Sequence, residues 1–268
     1  MATFHIRFLF GLVTGAALLS LFYTSVIVPA QHRARRSHCS NNLRQVGLAL
    51  LNHESSYDCL PLAAETGPDG RIWRSWRSAV YPVYMEQSNN IYDDKVSWDA
   101  PKNMRLLNGT PIPVCDKGGQ NPRFAAMDAN PEPLCCPCEN RHTAKGINYV
   151  VVVGEETAFP PNRQVKFSDI TDGLENTILV VESNFFTPKW IEPIDLEFDK
   201  MSFEINATEM AGISSRHYGG ANVVFADAQV YFVTTKISPD ELRALLTIAG
   251  GETVTRKELV DRRILIPK

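Results

Sequence analysis

The sequence predicts an α+β chain, with one long N-terminal helix ahead of a domain of short strands and long loops. Three observations predict it. Residues 8–30, FLFGLVTGAALLSLFYTSVIVPA, carry no charge, and an amphipathic stripe follows them without a break. β-Branched runs stand at 147–155, 177–181 and 221–233. Most of the prolines and glycines fall between residues 61 and 193, where they interrupt long regular elements.

The apolar run comes first. About 20 apolar residues cross the hydrocarbon core of a bilayer as a helix, so 8–30 reads as a transmembrane anchor after a short tail, residues 1–7. A cleaved secretory signal is the rival reading, with Val28-Pro29-Ala30 as small residues near a cleavage point; the run is longer than an ordinary signal core. Arg7 precedes the run, and Arg33, Arg35 and Arg36 follow it. That count alone would keep the following domain in the cytoplasm. The six cysteines pull weakly toward an oxidising compartment.

Next, Cys39, Leu43, Val46, Leu50 and Leu51 recur at helical spacing, so residues 31–58 continue the helix as an amphipathic half. The whole helix runs from Phe8 to Ser56, with a kink expected at Pro29. Residues 59–268 form the globular α+β domain. Within it, 71–87 is aromatic-rich and partly helical, and 147–155 reads as a buried strand ended by Gly154. A turn at Thr171-Asp172-Gly173 leads to a strand over 177–181. Residues 221–226 and 229–233 form a hairpin through Asp227-Ala228. Ser238, Pro239 and the following acids start a helix that Gly250-Gly251 ends.

Composition narrows the function classes. A hydrophobic fraction of 44% and a charged fraction of 21% describe a globular protein. A net charge of −3 lacks the basic footprint of a nucleic-acid partner.

Several segments stand in an order that resembles a known family. They are CSNNLRQVGLALLNHESSYDCLP (39–61), SWRSAVYPVYMEQ (75–87), Cys136-Pro137, INYVVVVGEETAF (147–159), ITDGLENTILVVES (170–183), and His217 with Asp227 nine residues further on. Together they resemble the prepilin-like bacterial envelope proteins of unknown function that carry a C-terminal His-x9-Asp-Gly motif. The resemblance implies a pilin-like fold, in which the long helix, half anchor and half amphipathic, packs on an antiparallel sheet. It also implies a non-enzymatic, pseudopilin-like envelope protein with a structural or secretion-associated role. The expected place is the inner membrane, single-pass, with the globular domain on the periplasmic side. The expected partners are the bilayer, through residues 8–30, and copies of the chain or other pseudopilin-like proteins. No cofactor is implied. Two departures stand out: the usual Gly-Phe-Thr-Leu-x-Glu processing site is missing, and Ala228 replaces the glycine of the motif.

The resemblance makes His217, Gly219, Gly220, Asp227, Asp172, Gly173, Asn176 and Thr177 motif residues with structural roles. No residue is assigned to catalysis. His217 oriented by Asp227, with Ser214 or Ser215 as nucleophile, would make a hydrolase; the intervening strand argues against it and for His217 and Asp227 pinning opposite ends of the hairpin. Cys115, Cys135, Cys136, Cys138 and His142 could form disulfides, remain thiols or hold a metal; no metal is assigned. Cys39 and Cys59 could pair only if the chain doubles back after Ser56. An envelope binding module for glycan or metal ion is the alternative function. Its candidates are an aromatic face of Trp73, Trp76, Tyr81 and Tyr84, and an acidic turn of Asp169, Asp172, Glu175 and Asn176. Trp190 has no assigned role.

Overall fold

The computed structural model describes residues 15–84, 92–104, 112–115, 122–125, 147–185 and 189–268, with backbone alone at 32–33, 81–84, 112–115 and 122–125. The chain is helical from residue 15 to Tyr57, in three stretches: 15–22, a π-helical turn at Tyr23–Ile27, and α1, Val28–Tyr57. Pro29 explains the middle stretch. It has no N–H to give the preceding turn, and just before it the ladder widens, with Val28 N–H bonding to Tyr23 O. The predicted proline kink is thus met by a π-turn, one of the recognised irregularities of helices. Asp58, with φ of 57°, closes α1 in the left-handed conformation.

The hairpin β1 (Ala64–Thr66) and β2 (Ile72–Ser75) follows, then α2 (Trp76–Tyr84), α3 (Pro101–Met104) and the two-stranded β3 (Ile112–Cys115) and β4 (Pro122–Ala125). Residues 147–155 form not one strand but two short ones, β5 (Tyr149–Val150) and β6 (Val152–Val153). The break serves two sheets, since β5 pairs with the main sheet and β6 pairs in parallel with β8 (Leu196–Glu197). The main sheet is antiparallel in the order β11–β10–β9–β7–β5, where β7 is Ile178–Glu182, β9 Gly220–Phe225, β10 Val230–Thr234 and β11 Leu265–Pro267.

Strand alternation divides the core into two layers. Val180, Val224 and Val230 face α1, joining Cys39, Leu43, Val46 and Leu50 of its stripe. Val181, Val223 and Phe225 face the opposite way, onto Leu242, Leu245, Leu246 and Leu259. Each fully buried Leu or Val of the stripe contributes about 1.5–3 kcal/mol. Leu51, predicted in the stripe, is only half-buried, and Ala49 and His53 take buried places instead. Close approach of helix and sheet depends on Gly47, where a Cβ would lie 2.7 Å from Val224 Cγ2.

The C-terminal helices are α4 (Pro239–Ala244) and α5 (Arg256–Asp261). Ser238 is the predicted cap, and with Glu241 it forms a capping box. The helix stops well before Gly250, because Thr247 bridges to Thr157 and leaves the helical path.

Candidate functional site

A polar cluster sits inside the layer between α1 and the sheet. Cys39 starts the buried stripe of α1, Glu182 ends β7, and His217 precedes β9. Their ligand-type atoms all lie within 4.8 Å of one another, and among the described residues no other group of three brings such atoms together. Cys39 Sγ donates to Glu182 Oε1 at 2.5 Å, and His217 Nε2 lies 3.5 Å from the same oxygen. Glu182 Oε2 accepts from Asn222 N–H at 2.7 Å and from Asn222 Nδ2 at 3.1 Å. Tyr149, paired with Glu182 across the strands, places its hydroxyl 3.1 Å from Cys39 Sγ and donates to Cys39 O. Phe232 stands edge-on to His217, with ring centroids 6.4 Å apart.

Three of these positions follow from local periodicity. Glu182 and Asn222 share the inward parity of Val180 and Val224, and Cys39 shares the inward face of Leu43. Cys39 and Glu182 are fully buried, and His217 is 5% exposed. A carboxylate in such a place must be hydrogen-bonded or compensated. Among the described residues the cluster is buried, with no open surface presented to a substrate.

Asp227 lies elsewhere. It stands in the turn beyond the far end of β9, about 20 Å of extended strand from the start of that element. There its carboxylate pairs with Arg256, Nη2 to Oδ2 at 2.7 Å, and accepts from Gln229 N–H. Asp227 thus pins a backbone group at the turn, whereas the His217 ring faces the Glu182 carboxylate. The loop itself needs correction: it has three residues, not two. Ala228 N–H bonds to Phe225 O and Phe225 N–H to Gln229 O. Ala228 takes a φ of 60°, the left-handed conformation that glycine adopts easily. Ser214 and Ser215 are engaged by backbone: Ser214 Oγ accepts from Asn184 N–H, and Ser215 Oγ donates to Gly220 O. Gly219 is left-handed at φ of 82°, and a Cβ on Gly220 would fall 2.0 Å from Val233 O.

The Asp-Gly…Asn-Thr motif is a second knot. Asp172 accepts from Gly250 N–H at 2.8 Å and Gly251 N–H at 3.0 Å. Asn176 donates to Asp172 O and accepts from Arg256 N–H, while Thr177 donates to Gly173 O and to Thr247 O. Gly173 has a φ of 97°. Asp169 caps its own turn at Lys166 N–H. Of the acids proposed for calcium, Asp169 and Asp172 are therefore spent on backbone. An open cleft beside them is lined by Glu155, Glu156, Arg163, Asp169 and Glu252.

Among the described residues, Trp73 and Trp76 do not both stand exposed as a platform would need. Trp73 belongs to β2 and donates to Asp69, and Trp76 is fully buried; the side chains of Tyr81 and Tyr84 lie outside the described residues. Next to Trp76, Arg77 is fully buried and bonds Asp195 at 2.6 Å. Its guanidinium also donates to Tyr149 O, Glu192 O and Ile194 O, while Asp195 accepts from Trp76 Nε1 and Val151 N–H. Burial pulls Arg77 below its ordinary pKa and pushes Asp195 up, and their mutual attraction opposes both shifts. Trp190, 1% exposed, packs in the same core. The segment around it supplies the anion for the Ser-Trp-Arg segment.

Cys39 and Cys59 do not pair with each other: α1 holds them roughly 27 Å apart along its axis. The side chains of Cys115, Cys135, Cys136, Cys138 and His142 lie outside the described residues.

The sequence singles out His217 and argues against Asp227 as its partner, but it does not point to Glu182. The available signal was parity, since an acid at 182 two residues after Val180 must point into the core. No curated protein and no solved structure matches the chain. It does match the model of a family described as "Protein of unknown function (DUF1559)", over residues 29–115 and 199–240, which take in α1, α2 and the His217–Asp227 hairpin, so the chain is similar through these elements to a family of unknown function.

Proposed function

We propose that the chain is a membrane-anchored, pseudopilin-like envelope protein, non-enzymatic, which presents its α+β domain outside the inner membrane for assembly or secretion. One observation carries the reading. A single helix has two unlike halves: every residue from Ala16 to Val26 is exposed, while the half from Cys39 onward is docked on the sheet. Leu18, Leu19, Leu21, Phe22, Tyr23 and Val26 stand bare on the first half. An all-round apolar helix needs an apolar surround, lipid or other helices. Among the described residues no helix is long and apolar enough to cross a membrane. The run proposed to do so begins at Phe8, ahead of them. Over 8–30 it would be about 35 Å long, against a hydrocarbon core of about 30 Å.

The sealed polar cluster and the motif residues spent on backbone favour a structural role over catalysis. Topology mapping with a reporter fused after Lys268, in the natural chain and in one lacking residues 8–30, tests the proposal. Membrane retention with periplasmic reporter activity, lost on deletion, is expected. A chain that stays soluble with residues 8–30 present refutes the anchor. Cross-linking in membranes tests assembly separately, and a monomer at all concentrations would refute that part.

A further inference from the structure

We infer that Cys39, Glu182 and His217 form a closed binding site for a divalent transition metal of the zinc class. The inference does not depend on the membrane reading. Thiolate, carboxylate and imidazole are the three ligand types zinc takes from proteins, and here they come from α1, β7 and the segment before β9, converging within 4.8 Å. Metal–ligand bonds of about 2.0–2.3 Å place tetrahedral ligand atoms roughly 3.3–3.7 Å apart. His217 Nε2 and Glu182 Oε1, 3.5 Å apart, already have that separation. Cys39 Sγ, at 2.5 Å from Oε1, needs to withdraw by about 1 Å, a small side-chain rotation.

Charge supports the same conclusion. A thiolate and a carboxylate balance a divalent cation, so the loaded site is neutral in a core that tolerates no net charge. One acceptor beside the cluster is unpaired. Asn222 Oδ1 is buried with no hydrogen-bond partner, on the side chain whose Nδ2 holds Glu182 Oε2. Those two bonds from Asn222 fix the carboxylate with Oε1 turned toward Cys39 and His217, the kind of outer support metal-bound carboxylates receive. Tyr149 OH, 3.1 Å from Cys39 Sγ, offers an oxygen for a fourth position. Loading releases the Cys39 proton and takes place as the chain folds, because the closed site has no entrance. The metal would clamp the helix to the sheet where the docked half of α1 begins.

The test is Co2+ and Zn2+ binding to the purified full chain, unfolded and refolded in the presence of each metal, and to the variants C39S, C59S, E182Q and H217Q treated in the same way. Expected are one Co2+ per chain with a thiolate-to-cobalt charge-transfer band that C39S abolishes and C59S leaves intact. H217Q and E182Q should weaken Zn2+ affinity by at least about 10–100-fold. Because C39S could fail to fold, H217Q and E182Q serve as the second arm. A chain without the band, a band that survives C39S, or an affinity unchanged in both H217Q and E182Q would overturn the site, including the case in which Cys135 and Cys138 carry the metal instead.

Discussion

His217 faces Glu182, Nε2 to Oε1 at 3.5 Å inside the core, while Asp227, its companion in the sequence motif, bonds Arg256 at the other end of β9. The two motif residues therefore act on different contacts. Double-mutant cycles in urea should separate them. The His217–Glu182 pair should couple by about 0.5–3 kcal/mol, and the His217–Asp227 pair by no more than about 0.3–0.5 kcal/mol. Equal coupling in both cycles would refute the assignment.

Removing one member of the Arg77–Asp195 pair should be costly. Asp195→Ala leaves a buried guanidinium and the Val151 N–H without their acceptor, at about 3–5 kcal/mol. Arg77→Lys, which lacks the planar fork that reaches three carbonyls and a carboxylate, should not restore stability. Thermal unfolding of the two variants measures this, and a loss below about 1 kcal/mol for Asp195→Ala would contradict it.

Gly47 and Gly220 are set by contact. Gly47→Ala puts a methyl 2.7 Å from Val224 Cγ2, and about 1–3 kcal/mol of overpacking follows. Gly220→Ala drives a Cβ to 2.0 Å from a backbone carbonyl that cannot move without breaking the β9–β10 pairing; it should be the more damaging of the two. Chemical denaturation ranks them, and the reverse order would mean the hairpin yields more readily than the helix.

Ala228 holds a φ of 60°, where a β-branched side chain is an outlier. Ala228→Val should destabilise by about 2 kcal/mol or more, through strain and crowding against Gly47. Ala228→Gly should stay within about 1 kcal/mol of the natural chain, because relief of the turn offsets the lost methyl. A denaturation midpoint for Ala228→Val equal to that of the natural chain would rule out the left-handed turn.

His53 provides a pH dependence. Burial lowers its pKa below the ordinary imidazole value of 6.5, and its Nδ1–H donates to Cys59 O at 3.1 Å. The neutral ring belongs to the fold, whereas the unfolded chain takes up a proton at higher pH. Its contribution is thus complete above about pH 6.5 and is lost as pH falls through the lower folded value. Denaturation midpoints between pH 7.5 and pH 5 should show the decline, and His53→Gln should flatten it; the same slope in both chains would assign the effect elsewhere.

Periodicity and capping chemistry made much of the architecture legible from sequence. The stripe from Cys39 to Leu50 was written in the 3.6-residue period, the hairpin in its alternation, and the start of α4 in Ser238, Pro239 and Glu241. Each depends on neighbours within a few positions, so composition and spacing suffice. Partnership was not written there. Glu182 meets Cys39 across 143 positions, Asp172 reaches Gly250 and Gly251 across 78 and 79, and Arg77 finds Asp195 across 118. Those pairings arise only when α1 lies on one face of the sheet and the strands take the order β11–β10–β9–β7–β5. Side-chain parity then forces polar groups from distant segments into one dry space, where each must find a donor, an acceptor or an opposite charge.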